Sequence, residues 1–198
     1  SAFSVGTGVR VVNADKLFSQ GSIVSTDNAL DLAVDGAGFF QVLLPDGRIG
    51  YTRNGTFSRN NEGALTTSSG YVIQPEVVLP EDAQEINVSS DGVVSVQLPG
   101  AVEQEEVGQL ELAEFQNRNG LQPIGESFYV ETTASGEPIV ANPLEGSFGK
   151  LVQGALESSN VSVVKELVDM IETQRAYEVN SKAISSVDEM LRFISNNL

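Results

Sequence analysis

The chain has 198 residues, of which 40% are hydrophobic, so it is long enough to fold around a substantial core. It contains no cysteine and no histidine, which excludes disulfides, thiolate metal sites, cysteine nucleophiles and histidine general bases. The net charge is −16, and residues 60–149 carry fifteen acidic residues against one basic residue. Because that field repels phosphate backbones, we expect no nucleic-acid partner.

The first 24 residues give the weakest structural signal. Residues 8–12 are rich in β-formers but have no neighbouring segment suited to pair with them as a hairpin. We therefore interpret residues 1–24 as an extended connector strand region.

Residues 25–148 have the pattern of a β-domain. Short segments rich in β-formers occur at residues 30–34, 39–44 and 93–96. Turn sequences separate such segments, since Asp-Gly and Asn-x-Gly suit the positive φ angles of hairpin turns. These turns are expected at Pro45-Asp46-Gly47, Asn61-Glu62-Gly63, Asp91-Gly92 and Ser135-Gly136. The predicted fold is mainly β, an irregular domain of short antiparallel strands with a long C-terminal α-helix.

A short glycine-bounded segment follows the β-domain. Gly149 and Gly154 enclose it, and we interpret residues 149–160 as a connector with a hinge. Residues 60–149, which carry the acidic excess, are expected to face outward from an assembly, because their charge disfavours dry contacts between copies.

Residues 161–198 are predicted to form one long helix with a broad apolar stripe. Apolar residues recur at spacings of three or four, Ser162 is suited to cap the first turn, and neither Gly nor Pro interrupts the run. A helix from Val163 would be about 54 Å long at ~1.5 Å per residue. No other segment is suited to cover this stripe, so the partner is expected outside the chain. The predicted subunit-contact residues are Val164, Leu167, Val168, Ile171, Arg175, Tyr177, Val179, Ala183, Val187, Met190 and Ile194.

Motifs for catalysis, metals and cofactors are weak. Asp35-Gly36-Ala37-Gly38 lacks the Lys-Ser/Thr ending of a phosphate-binding loop, which favours a glycine-rich strand connection. Asp31 with Asp35, and Glu103 with Glu105 and Glu106, lack the spacing of a calcium loop. We therefore predict no catalytic, cofactor or metal residue and no enzyme. The alternative of a different class is a carbohydrate-binding or adhesive β-protein with a carboxylate pair in an acidic cleft.

The chain resembles the family of bacterial flagellar rod and hook proteins over almost its whole length. Residues 28–42 read NALDLAVDGAGFFQV, which is similar to the family's central signature, and YTRNGTF at 51–57 and TSSGY at 67–71 follow in order. SNVSVV at 159–164, MIETQRAYE at 170–178 and NSKA at 180–183 are similar to its terminal helix. Gln74-Pro75 and Gly120-Leu121-Gln122 are more similar to the distal rod branch than to the proximal rod or hook paralogues.

This resemblance implies a structural role in the flagellar basal body, in a distal rod that crosses the periplasm and polymerises through the terminal helix into a torque-transmitting tube. It implies export by the flagellar secretion apparatus without a cleaved signal. Implied partners are copies of the chain, other rod proteins, the hook protein and surrounding ring proteins, without membrane insertion. The family's amphipathic N-terminal helix and Asn-rich motif do not precede Ser1, and the resemblance implies that such a helix pairs with the terminal one.

Overall fold

The structure is a computed structural model that describes residues 16–100 and 103–196, with the side chains of its helix described as far as Phe193. The chain divides into two compact units, Ser1–Ser158 and Ser159–Leu198. The first contains short strands, and the second contains one long helix. This architecture confirms the predicted mainly β fold with a C-terminal helix.

Sixteen strands lie in the described part of the first unit, and all their pairings are antiparallel. In chain order they are β1 (Ile23–Ser25), β2 (Leu32–Asp35), β3 (Phe39–Leu43), β4 (Ile49–Thr52), β5 (Phe57–Arg59), β6 (Leu65–Thr67), β7 (Ile73–Gln74), β8 (Glu85–Val88), β9 (Val93–Gln97), β10 (Glu105–Gln109), β11 (Leu112–Glu114), β12 (Gln122–Gly125), β13 (Phe128–Val130), β14 (Ile139–Ala141), β15 (Lys150–Gln153) and β16 (Ala155–Glu157). A 3-10 turn, Arg118–Gly120, precedes β12.

The largest sheet has the strand order β12-β13-β4-β3-β11-β14, with β7 also paired to β3. Strand β3 lies between β4 and β11, and both of its faces are covered by apolar side chains. Phe39 and Phe40 point to opposite faces, as neighbouring residues of a strand do. Phe40 packs in the main apolar core, edge-on to Phe57 at 5.1 Å between ring centroids. Phe39 packs in a smaller aromatic cluster with Tyr51 and Phe115 on the other side.

Three of the four predicted turns connect paired strands, whereas Ser135-Gly136 lies between β13 and β14, which do not pair with each other. Residues 45–47 connect β3 to β4, residues 61–63 connect β5 to β6, and residues 91–92 connect β8 to β9. Gly47 has φ of +83° in the first of these turns, a conformation that glycine adopts without steric cost.

The predicted connectors differ from the structure. Residues 150–157 form β15 and β16, which pair with β2 and β1, so this part of the predicted connector belongs to the β unit. Gly149 permits close packing there, because a Cβ atom on it would lie 2.5 Å from the Asp35 carbonyl oxygen. Of the predicted N-terminal connector, residues 1–15 lie outside the described part, and its end is occupied by β1.

The second unit is the helix α1 (Val163–Asn196), about 51 Å long at ~1.5 Å per residue. Ser162 caps its N-terminus as predicted. The Lys165 backbone N–H donates to Ser162 Oγ at 3.5 Å, and the Glu166 N–H donates to the Ser162 carbonyl at 3.0 Å. The uninterrupted run of helix-compatible residues therefore gives one continuous element.

Candidate assembly surface

The surface of α1 is the candidate for contact with other molecules, because all its described side chains, 163–193, are exposed. Ile171 and Val168 are each 48% exposed, and Val164 is 73% exposed. Large apolar side chains concentrated on one exposed element are typical of an interaction surface. Among the described residues, no helix combines the length and apolarity that crossing a bilayer would require.

The predicted contact residues are all on this exposed surface except Ile194, whose side chain lies outside the described part. At ~100° per residue they do not share one side of the helix. Val164, Leu167, Val168 and Ile171 cluster on one side of its first half. Val179, Ala183, Val187 and Met190 cluster on a different side of its second half, with Tyr177 at the border. Arg175 stands between the two groups in sequence.

A second cluster is centred on Arg53 and fastens the last strand before α1. The Arg53 Nε atom donates to the Glu157 carboxylate at 2.7 Å. Its two terminal nitrogens donate to the carbonyls of Val34, Gly36 and Gly38 at 2.8–3.1 Å. The side chains of Arg53 and Glu157 are 20% and 11% exposed, so this ion pair is largely screened from water. Glu157 is the last residue of β16, and the β unit ends one residue later, at Ser158.

The glycine-rich connection between β2 and β3 is built around this arginine. Gly36 has φ of +120°, and a Cβ atom on it would lie 2.7 Å from Gly149 Cα. The loop directs the carbonyl oxygens of Gly36 and Gly38 at the Arg53 guanidinium. The Gly36 N–H donates a hydrogen bond to the Gln20 side chain at 3.1 Å. A phosphate-binding loop directs N–H groups at its ligand instead. The structure therefore supports a strand connection at this motif.

Arg53→Met is expected to destabilise the β unit by about 2–4 kcal/mol, because it leaves Glu157 unpaired in a largely buried position and removes donors from three carbonyls. Urea unfolding measures the change. Arg48→Met is the matched control, since the Arg48–Asp46 pair is exposed on both sides, and we expect no measurable effect there. Adding Glu157→Gln to Arg53→Met should recover part of the loss. Equal effects for Arg53→Met and Arg48→Met would contradict the anchoring role.

One open cleft contains the carboxylates that the alternative function would need. It has a volume of about 650 Å³ and is lined by Arg48, Tyr51, Glu131 and Glu137, among others. Burial raises the pKa of Tyr51 to about 12, with the Glu131 charge adding to the effect. Both glutamates are exposed, whereas the acid of a glycosidase sits in a partly apolar pocket. The cleft therefore lacks the burial that favours acid catalysis.

The other carboxylate groups singled out in the sequence have structural or solvated positions. Asp31 is buried and accepts hydrogen bonds from Thr26 Oγ1 and Asn28 Nδ2, each at 2.8 Å. Glu103, Glu105 and Glu106 are all exposed. Within residues 16–100 and 103–196, no group of three or more acidic side chains is arranged to hold a metal ion.

Arg53 and Glu157 are functional candidates that the sequence did not single out. Arg53 lies in the 51–57 segment, which resembles a family motif, and that was the available signal. Glu157 carried no comparable pattern, because its role depends on a partner 104 residues earlier in the chain.

Two family models match the chain. Residues 33–96 match the model described as the flagellar hook protein FlgE/F/G D1 domain, and residues 152–198 match the flagellar basal body rod FlgEFG protein C-terminal model. The first match covers the strands from β2 to β9, and the second covers the end of the β unit together with α1.

Curated relatives agree with these matches. The flagellar basal-body rod protein FlgG of Buchnera aphidicola subsp. Schizaphis graminum is 49% identical, over 98% of this chain and 75% of the relative. The protein of the same name from Caulobacter vibrioides is 44% identical, over 96% and 73%. The flagellar hook protein FlgE of Salmonella typhimurium matches 69% of this chain but 32% of its own length. The chain belongs to the flagellar basal-body rod protein family.

Proposed function

We propose that this chain is a structural subunit of the distal rod of the bacterial flagellum and has no enzymatic role. Copies polymerise through α1 into a helical tube that transmits torque. The observation that carries this proposal is the apolar surface of α1, exposed along the described helix. The long matches to proteins named as basal-body rod proteins favour a rod subunit over a hook paralogue, since the hook protein matches over a third of its length.

Polymer geometry supplies the mechanism. Apolar side chains of α1 become buried between neighbours, which stabilises the contact by roughly 25 cal/mol per Å² of apolar surface. Head-to-tail contacts with a rotation that does not close produce a helical filament. A torque-bearing tube also needs rigid subunits. The Arg53–Glu157 anchor contributes rigidity by fixing β16 to the β2–β3 connection.

The proposed location is the rod as it crosses the periplasm, reached through the flagellar secretion apparatus without cleavage of a signal. The proposed partners are copies of the chain, other rod proteins, the hook protein and the ring proteins around the rod. The names of the relatives support a place in the basal body. We propose that the protein does not insert into the membrane.

A density map of rods isolated from cells carrying a tagged genomic copy tests this function. We expect the tag along the distal rod, α1 near the axis and residues 60–149 at the periphery, where their acidic side chains are solvated. Finding the tag in the hook alone would support the hook paralogue and contradict a rod subunit. Finding residues 60–149 along the central channel would contradict the radial order.

The triple change Glu103→Gln, Glu105→Gln and Glu106→Gln is expected to preserve both the melting temperature and motility. The three carboxylates are exposed and lie in the region proposed to face outward. Neutralising solvated surface charges usually has little effect on stability. Motility assays and thermal melting check this prediction. Loss of motility with an unchanged melting temperature would place these residues at a contact.

In the dilute, monomeric chain, amide hydrogens of α1 are expected to exchange faster than those of Phe39–Leu43. Most helical stability in proteins comes from packing, and the described side chains of α1 are exposed, whereas β3 is buried on both faces. Hydrogen exchange detected by mass spectrometry measures the difference. Equal protection of the two segments at dilutions that exclude association would show that α1 is stable without partners.

A further inference from the structure

The open cleft beside Glu131 and Glu137 has two nearly buried polar side chains at its base. Gln41 on β3 and Tyr51 on β4 lie directly opposite each other in the antiparallel pair, so both side chains point to the same face of the sheet. Only 9% of Gln41 and 2% of Tyr51 is exposed. Both line the cleft, and its volume of about 650 Å³ lies in the range of small-ligand sites, ~300–1,000 Å³.

The polar ends of these two side chains are not used by the fold. Within residues 16–100 and 103–196, neither the Gln41 amide nor the Tyr51 hydroxyl takes part in a hydrogen bond. Each described side-chain N or O atom that is fully enclosed does have a partner, so these two polar ends are reached from the cleft. Because nearly buried polar groups are normally bonded within the protein, two unbonded ones in one cleft indicate a binding site.

The rim of the cleft adds charged groups of both signs. Glu131 and Glu137 lie near the two ends of the loop between β13 and β14, and Arg48 lies just before β4. The apolar walls are formed by Ile49, Val130 and Pro138. A cleft with apolar walls and a few convergent polar groups is typical of a small-molecule site.

The loop that carries both glutamates is held in place by its own hydrogen bonds. The Thr132 N–H donates to Ser135 Oγ at 2.9 Å, and Ser135 is 1% exposed. Two further bonds fix the loop to the preceding turn: Thr132 Oγ1 donates to the Gly120 carbonyl at 2.7 Å, and Asn117 Nδ2 donates to the Ala134 carbonyl at 2.9 Å. Since the carboxylates are positioned before a ligand arrives, binding does not have to order this loop.

The mixture of donors and acceptors limits the class of ligand. Burial raises the pKa of Tyr51 to about 12, so its hydroxyl keeps its proton at neutral pH and can donate. The Gln41 amide both donates and accepts, Arg48 only donates, and the two carboxylates only accept. An organic cation offers no acceptor to the Gln41 NH₂ group or to Arg48, and an anion is repelled by Glu131 and Glu137. Sugar hydroxyl groups donate and accept, so they match the whole set.

We propose that this cleft binds a neutral saccharide of one or two rings. Its hydroxyl groups bond to Gln41, Tyr51 and the two glutamates, and the C–H face of a ring lies against the apolar walls. This binding activity goes beyond the proposed rod function, and none of its residues belongs to α1. The saccharide is bound and not cleaved, because both glutamates are exposed and lack the partly apolar pocket of a glycosidase acid.

Titration of the full chain with cellobiose and with N,N′-diacetylchitobiose, followed by NMR chemical shifts, tests the proposal. We expect shifts confined to the cleft, including the side-chain NH₂ of Gln41, and an affinity that does not change with salt because the ligand is neutral. Spermidine, glucuronate and trialanine are the cationic, anionic and peptide comparisons. Each should bind at least tenfold more weakly than the better of the two saccharides.

Tyr51→Phe removes the hydroxyl and keeps the ring, so saccharide binding should weaken about fivefold, the effect of one hydrogen bond. The melting temperature should not fall, because that hydroxyl makes no bond within the described part of the chain. Gln41→Met, which keeps the length of the side chain, should weaken binding similarly. Tyr71→Phe is the matched control, since Tyr71 lines a different cleft, and it should leave the affinity unchanged.

Four results would overturn the proposal. They are no shift up to the solubility limit of both saccharides, tighter binding of any comparison ligand, unchanged affinity in Tyr51→Phe and Gln41→Met, and a lower melting temperature of Tyr51→Phe. The last result would show that the Tyr51 hydroxyl serves the fold and not a ligand.

Discussion

Gly55→Ala is expected to destabilise the β unit by about 3–5 kcal/mol, as much as the loss of a large core side chain. A Cβ atom at Gly55 would lie 1.6 Å from the Leu32 carbonyl oxygen, so the two backbone segments must separate. The Leu32 N–H donates to the Gly55 carbonyl at 3.0 Å, and separation weakens that bond while displacing the buried Leu32 side chain. Overpacking and a buried unpaired donor each cost about 1–3 kcal/mol.

Urea unfolding of Gly55→Ala beside Gly136→Ala isolates this steric effect. Gly136 has φ of +79°, but an added Cβ would meet no atom within 4 Å. Its replacement carries the conformational cost alone, about 1 kcal/mol. If the two variants differed by less than about 1 kcal/mol, the close approach of Gly55 to Leu32 would have no energetic importance.

Local chemistry accounts for the parts of the fold that the sequence predicted. The helix was predictable because an unbroken periodic run follows a capping Ser162, and both features act within a few residues. The hairpin at residues 45–47 was predictable because Asp-Gly suits the turn by itself. Neither inference required knowledge of distant contacts.

Long-range pairing accounts for the part that failed. Residues 149–154 were predicted to be a hinge because Gly149 and Gly154 bound them, yet Lys150 pairs with Asp35 across the chain. Gly149 is required for close backbone packing against Asp35, and not for conformational freedom. The Arg53 anchor was missed for the same reason, since it joins carbonyls of the β2–β3 connection to Glu157.

The apolar residues of α1 lie on different sides in its two halves. The sequence contains this information, but counting the spacings between apolar residues does not reveal it. Intervals of three and four preserve a stripe locally, and each interval of four advances the direction by ~40°. The run Arg175, Val179, Ala183 and Val187 uses that interval repeatedly, so the stripe turns away from its starting side. Direction around the helix, rather than spacing, therefore determines which neighbours a residue can contact.

Ile171→Asp is expected to abolish rod formation and motility while leaving the β unit folded. Ile171 lies with Val164 and Leu167 on the apolar side of the first half of α1. It is 48% exposed in the isolated chain, so the change has little effect on folding of the monomer. At the proposed subunit contact it places an unpaired carboxylate in an apolar environment, which costs about 3–5 kcal/mol. Such a cost lowers the affinity of each contact by at least a hundredfold, and the polymer repeats it at every subunit.

Thr173→Asp is the matched control, because it adds the same charge two residues away, on the side of the first half of α1 that carries Glu166 and Asp169, and should leave motile cells. Phe40→Ala supplies the opposite pattern. Its side chain is fully buried beside Phe57, so thermal melting of the purified chain should show a loss of about 3–5 kcal/mol in the β unit. Thermal melting should remain unchanged for Ile171→Asp. Motile cells carrying Ile171→Asp would show that the apolar side of the first half of α1 has no part in assembly, whatever the stability of the β unit.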